Sequence, residues 1–185
     1  MFVVTYRGIF GFIKPWTAVR DGETFSQQFL TPSIIEGIEK KLFPELLNTN
    51  GIHKILRHKL DYAATTTQQE VVQTRGWEDK KGKMPPRPRS IIKRSILQNP
   101  ILYLAFNNRT EALSAYKQTI CLCRNEDILF PDKDIAEMTA EEFSSIPGFE
   151  LRFGKSEQSF LVGYNRFNKS QPMYGWLEYN GQTLL

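Results

Sequence analysis

The residues best equipped for chemistry stand together. Between Lys80 and Arg94 (KKGKMPPRPRSIIKR) the chain carries seven cations, Lys80, Lys81, Lys83, Arg87, Arg89, Lys93 and Arg94, and no acid. Arg75 comes shortly before them, and Trp77 stands among them. Cations along phosphates and flat side chains under bases are what hold single-stranded RNA, so this composition predicts contact with a polyanion, against the alternative of a solvated loop. The net charge of +4 conceals the asymmetry, because outside that window 17 basic residues stand against 20 acidic ones, a net of −3. Acid collects at Glu126, Asp127, Asp132, Asp134, Glu137, Glu141 and Glu142, opposed only by Lys133. That stretch is expected to face solvent or a basic neighbour.

Other chemistries find fewer residues. Metal-independent RNA cleavage needs a base near neutral pH, and the two histidines, His53 and His58, are five apart on what reads as a strand, which points them to opposite faces. No catalytic residue is assigned. Cys121 and Cys123 cannot build a disulfide framework, which agrees with a reducing compartment. On the helix expected there they diverge, and no second Cys or His pair completes four metal ligands. Asp132, Asp134 and Glu137 lack the glycine and terminal Glu spacing of a calcium loop, and neither a P-loop nor a dinucleotide fingerprint occurs, so no metal and no cofactor is expected.

The elements that must position the basic window can be read from periodicity. Residues 2 to 13 (FVVTYRGIFGFI) read as a strand in which Gly8 and Gly11 allow a bulge or a close neighbour. Residues 14 to 30 read as a loop. A helix opens at Thr31, with Pro32 at its first position, Ser33 and Glu36 as a capping-box pair, and Ile34, Ile35, Ile38 and Leu42 on one apolar face. Pro44 should end it. Residues 51 to 64 alternate as a half-buried strand, with Ile52, Leu56, Leu60 and Tyr62 on one side. From Thr65 to Ser95 the core pattern dissolves, which marks a functional loop or a disordered segment. A strand over 96 to 106 and a helix over about 108 to 123, capped by Asn108, follow. Residues 128 to 147 look mixed and acidic, with a short helix at 139 to 143, and short strands are expected at 148 to 153, 158 to 164 and 173 to 179. The order is β-α-β-β-α-β, so the expected class is α+β, a ferredoxin-like or RNA-recognition-motif core with a long hairpin inserted between its second and third strands. Such a sheet leaves one face open, and that face or its loops often hold single-stranded RNA.

At 185 residues, with 41% hydrophobic, 12% aromatic and 24% charged residues, the chain suits one domain, and residues 65 to 95 form its basic insertion. No apolar run reaches the roughly 20 residues that span a bilayer, and the N-terminal residues lack the pattern of a cleaved leader, so a cytoplasmic soluble protein is expected, with no membrane partner.

The segments RGIFGFIKP, FLTPSIIEGIEKKLF and IHKILRHKLDY, in that order, together with SILQNPILYLAF, resemble the Cas-five family of type I CRISPR systems. That family supplies the Cascade subunit that caps the 5′ end of the guide RNA. The resemblance covers about residues 4 to 62 and 94 to 124, and order and spacing carry it. It implies an RNA-recognition-motif-like palm that grips the 5′ handle, and a thumb hairpin wedged into the RNA beside a backbone subunit. The implied partners are the crRNA, the backbone and large Cascade subunits and, indirectly, target DNA, in antiviral defence. A branch in subtype I-C also cleaves precursor RNA with a tyrosine after the first helix and a lysine-histidine pair near the second. Here those places hold Leu42 and Phe43, and Arg109 to Leu113, so neither set is present.

The expected RNA contacts are therefore Arg75, Trp77, Lys80, Lys81, Lys83, Arg87, Arg89, Lys93 and Arg94 in the insertion, with Lys14, Arg20 and the helix N-terminus at Ser33 as a second set whose cations and free N–H groups suit phosphate. Two alternatives stay open. One is an endoribonuclease that processes precursor crRNA. The other is an unrelated RNA-recognition-motif protein using its open sheet face, which needs exposed aromatics such as Tyr6 and Tyr103 on one face.

Overall fold

The computed structural model describes residues 1–14, 23–73, 89–165 and 168–181. In chain order the elements are β1 (Phe2–Arg7), β2 (Phe10–Gly11), β3 (Glu23–Phe25), α1 (Pro32–Leu42), β4 (Ile55–Asp61), β5 (Ala64–Gln73), β6 (Arg89–Gln98), β7 (Ile101–Phe106), α2 (Arg109–Tyr116), β8 (Ile120–Cys121), β9 (Ile128–Glu137), α3 (Ala140–Ser145), β10 (Gly148–Phe153), β11 (Phe160–Asn165) and β12 (Gln171–Asn180). The fold is α+β and its strand pairs are mostly antiparallel. A large sheet has the order β11-β12-β10-β4-β7-β1-β9-β8. In a second, smaller sheet β6 pairs β5 along one edge and β2 and β3 along the other.

The apolar runs FVVTYR and ILYLAF lie side by side as β1 and β7, and both of their faces are covered. On one face Val4, Tyr6, Leu102, Leu104 and Phe106 meet Ile35, Ile38 and Leu42 of α1 and Ala112 and Ala115 of α2 in the main core. On the other, Val3 and Ala105 meet Phe143 of α3. Tyr6 is wholly buried, and its hydroxyl donates to the Ala115 carbonyl at 2.7 Å, which removes the cost of burying a phenol. Gly8 and Gly11 are close-approach positions: a Cβ on Gly8 would lie 2.4 Å from Leu129, and one on Gly11 would lie 2.6 Å from Leu122.

Helix α1 begins after Thr31 with Pro32 in its first turn, as its apolar face requires. The Ser33 and Glu36 capping box does not form. Thr31 Oγ1 and Ser33 Oγ share a hydrogen bond of 3.1 Å, and the Glu36 carboxylate instead accepts from Lys40 at 2.7 Å and from the Gly51 N–H at 3.2 Å. The last turns of α1 are tied to the start of β4 by Glu39, a fully buried carboxylate that accepts the backbone N–H groups of His53, Lys54 and Ile55.

Several elements differ from the sequence expectation for definable reasons. Residues 128 to 137 form a strand, β9, beside β1, where a shift of register between Val4 and Tyr6 breaks the alternation that would have announced it. Its acids are mostly exposed near the end of the sheet, a common protection of sheet margins. The strand at 148 to 153 pairs with β4 on the far side, not with β1. The run 96 to 106 breaks into β6 and β7 at Asn99, whose φ is 47°, followed by Pro100. The second helix ends at Tyr116, so Cys121 lies in β8 and Cys123 in the turn after it. A register shift between Ile55 and Arg57 turns Leu56 outward. Among the described residues no helix is long and apolar enough to cross a membrane.

Candidate nucleic-acid interface

The insertion between β4 and β7 is a hairpin. β5 and β6 pair residue for residue from Ala64 opposite Gln98 to Gln73 opposite Arg89, and a strand of that length spans about 33 Å. β-branched residues such as Thr65, Thr66, Thr67, Val71, Ile91 and Ile92 favour the extended chain, although both faces look polar in sequence. At the base, Ser95, Ile96 and Leu97 are buried, and β3 and β2 flank residues 93 to 95 and 97 to 98. From Ile92 to Arg89, among the described residues, β6 pairs with β5 alone, so this part is a two-stranded ribbon, which in water is marginal unless anchored.

The anchor is on the inward face. Glu70 accepts from Arg94 Nε at 2.8 Å and from Arg124 Nη1 at 2.7 Å. Arg124 also donates to Gln68 at 2.9 Å and grips Asp127 through Nε and Nη2 at 2.7 and 2.6 Å. Asp127 is almost wholly buried and accepts the Phe12 N–H at 3.2 Å. The Phe12 ring lies 5.3 Å from the Arg94 guanidinium and 5.7 Å from that of Arg124. Burial alone would raise the Glu70 carboxyl, but the hydrogen bonds from Arg94 and Arg124 and their charges outweigh it and hold the group below the usual carboxylate range. The hairpin is thus fastened to the turn that carries Arg124.

The outward face has no such fastening. Register puts Val71 opposite Ile91, Gln69 opposite Lys93, and Gln73 opposite Arg89, and on the other edge of β6 Glu23 stands opposite Lys93 and Phe25 opposite Ser95. Val71, Ile91 and Phe25 are 66%, 58% and 66% exposed, and Arg89 and Lys93 are exposed as well. Flat or aliphatic groups therefore alternate with cations along one surface.

Of the residues singled out in the sequence, Arg89 and Lys93 lie on this outward face, whereas Arg94 is turned inward and committed to Glu70. Lys14 is exposed and follows Ile13, whose N–H donates to Ser26 Oγ at 2.9 Å, while the Ser26 N–H donates to the Ser95 carbonyl at 2.8 Å. This chain of bonds brings the Lys14 segment, β3 and the hairpin base together. Ser33 is exposed in the first turn of α1, with its hydroxyl on Thr31. Arg20, Arg75, Trp77, Lys80, Lys81, Lys83 and Arg87 lie outside the described residues. Phe25 was missed in the sequence, where a single aromatic in ETF gives no signal, and only strand pairing, which sets it opposite Ser95, brings it onto the face of Lys93.

The two histidines differ in their access to solvent. His53 is exposed and its Nε2 meets the Asn50 carbonyl at 2.9 Å. His58 is 4% exposed, with an Nε2 that has no hydrogen-bond partner, and desolvation pushes its pKa down to about 4 despite the nearby Glu150 charge. Tyr6 and Tyr103 belong to opposite faces, one in the main core and the other packed near Phe143, so they do not make a shared platform on an open sheet. Arg57, Lys59 and Glu150 cluster under α3: Arg57 grips Glu150 at 2.8 and 2.6 Å, and Lys59 donates to the Ser144 and Ile146 carbonyls at the helix end. Those cations fasten α3 and are not available to a polyanion. The chain matches no protein-family model and no curated protein.

Proposed function

We propose that this chain is a non-catalytic guide-RNA-binding subunit of a type I CRISPR Cascade complex, with a ferredoxin-like, RNA-recognition-motif core as palm and the β5–β6 hairpin as thumb. The reading rests on the family resemblance, and one observation carries it further: a hairpin whose joining segment holds Arg75, Lys80, Lys81, Lys83 and Arg87 leaves the core between its second and third strands. The palm assignment is supported by strand order. β9, β1, β7 and β4 are neighbours and pair antiparallel, which in chain order is fourth, first, third, second, with α1 after the first strand and α2 after the third. In this reading the palm, with the Lys14 segment, grips the 5′ handle of the crRNA, the outward face of the hairpin wedges into the RNA beside the backbone subunit, the large subunit completes the cleft, target DNA is met only through the guide, and the complex works in the cytoplasm.

The test is to purify the tagged full-length chain from its own host and sequence the RNA it carries. Short RNAs sharing one constant 5′ segment followed by variable sequence are expected. RNA without a common 5′ segment, or no RNA at all, overturns the reading.

A further inference from the structure

We propose that Phe25 is a base-stacking platform on the outward face of the hairpin, with Lys93 as the cation that holds the adjoining phosphate. The inference rests on the RNA-binding reading above and adds the face, the residue and the mode of contact.

On the inward face the polar groups of Glu70, Arg94, Arg124 and Asp127 are committed to one another. Phe25 is different. It is 66% exposed although its neighbours Thr24 and Ser26 are buried, so the backbone of β3 is held while the ring is left in solvent. β3 is short, and its parallel pairing with β6 fixes Phe25 opposite Ser95 and Glu23 opposite Lys93. A phenylalanine ring presented on a pinned strand is a stacking surface that loses little entropy on binding, because its backbone is already ordered. Lys93 lies two residues from Ser95 along β6, roughly 7 Å away, about the spacing of successive phosphates in an extended strand. No described acid forms an ion pair with Lys93. An apolar protein partner would use Val71, Ile91 and Phe25 as one greasy strip, but the Lys93, Gln69 and Glu23 row interrupts it. One exposed ring and two aliphatic side chains interspersed with Lys93 and Arg89 fit a single nucleic-acid strand better than they fit an apolar protein surface. Among the described residues Glu23 is the one acid on this surface, and it sits where it opposes a polyanion.

Fluorescence anisotropy of a labelled single-stranded oligoadenosine with the full-length chain tests this. Phe25→Ala should weaken binding roughly 5- to 150-fold, the range of one base stacked on one aromatic, with the salt dependence unchanged. Phe25→Leu should lose as much, and Phe25→Trp should bind at least as well as the parent. Lys93→Gln should weaken binding and lower the salt slope by roughly 0.7. Glu23→Gln should tighten binding roughly 1.5- to 5-fold at low salt. Because Phe25 is exposed, the melting temperature of each variant should match the parent, which separates binding from folding. Parent-like affinity in Phe25→Ala, or in Phe25→Leu, overturns the stacking proposal. The variant with Lys80, Lys81, Lys83 and Arg87 all changed to Gln distinguishes the two levels. If it weakens while Phe25→Ala does not, the RNA reading stands and this inference falls. If the parent chain itself does not bind, the RNA reading falls with it.

Discussion

On the inward face of the β5–β6 hairpin, Glu70, Arg94, Gln68 and Arg124 direct their polar groups at one another, whereas on the outward face Val71, Ile91, Phe25 and Lys93 stand exposed. The two faces belong to the same pair of strands and share one backbone ladder. What separates them is the turn at Arg124, which reaches only one side. A two-stranded ribbon cannot fix its own direction, so one face is given over to fastening and the other is left for a partner. Removing groups from the two faces should therefore have different consequences.

The largest effect on stability is expected from Arg124→Ala. It leaves the buried Asp127 carboxylate without its bidentate partner and Glu70 with one arginine, and breaking a buried pair this way costs roughly 3 to 5 kcal/mol. Urea unfolding measures it, and a loss under about 1 kcal/mol would mean that the hairpin is not anchored there. Lysine at this position should rescue little, because it cannot make the fork that Arg124 makes.

Acid sharpens the contrast between this fastening and the far half of the large sheet. His58 has its pKa lowered from 6.5 to about 4 by burial, so the unfolded chain takes up a proton before the folded one does. Its contribution is complete above pH 6.5 and declines as pH falls towards 4, by roughly 3 kcal/mol in all. Glu70 is held below its usual 4.5, so its contribution is present above that value and fades only below it. Stability measured from pH 7 to pH 3 should thus fall in two stages. His58→Phe should remove the first stage and leave the second, and a parent curve that is flat between pH 6.5 and 4.5 contradicts the assignment.

On the outward face the effect on folding should be smallest. Ile91→Thr replaces an exposed, β-branched residue with another and should change stability by less than about 0.5 kcal/mol. A larger loss, seen in the same urea experiment, would show that this face packs against something and is not open.

Much of the core could be read in advance from residues whose environment is uniform along the chain. α1 followed from Ile35, Ile38 and Leu42 at helical spacing behind Pro32, and β1 and β7 from unbroken apolar runs. β9 was hidden because its acids are exposed and its register shifts beside Val4, so neither period nor composition marked it as a strand. The hairpin strands gave little periodic signal of their own, since both faces are rich in polar residues and show no hydrophobic alternation, and only β-branched content marked them as extended. The candidate site was partly legible. Charge singled out Arg89, Lys93 and Arg94, but not which of them faces outward, because that depends on the period of two measured from a register that Glu70 and Arg124 enforce. Phe25 and Lys93 come onto one face only through β3 pairing with β6, which joins residues about 70 positions apart.

The most direct test of the account is the salt dependence of RNA binding by the assembled complex with Lys80, Lys81, Lys83 and Arg87 all changed to Gln. If these four cations lie on phosphates, the slope of log affinity against log salt should become shallower by roughly 2.8, at about 0.7 per contact for a single strand, while the urea midpoint stays that of the parent. A quadruple variant with the parent's affinity and slope contradicts the account, and would move the RNA to the palm around Lys14, Arg20 and Ser33.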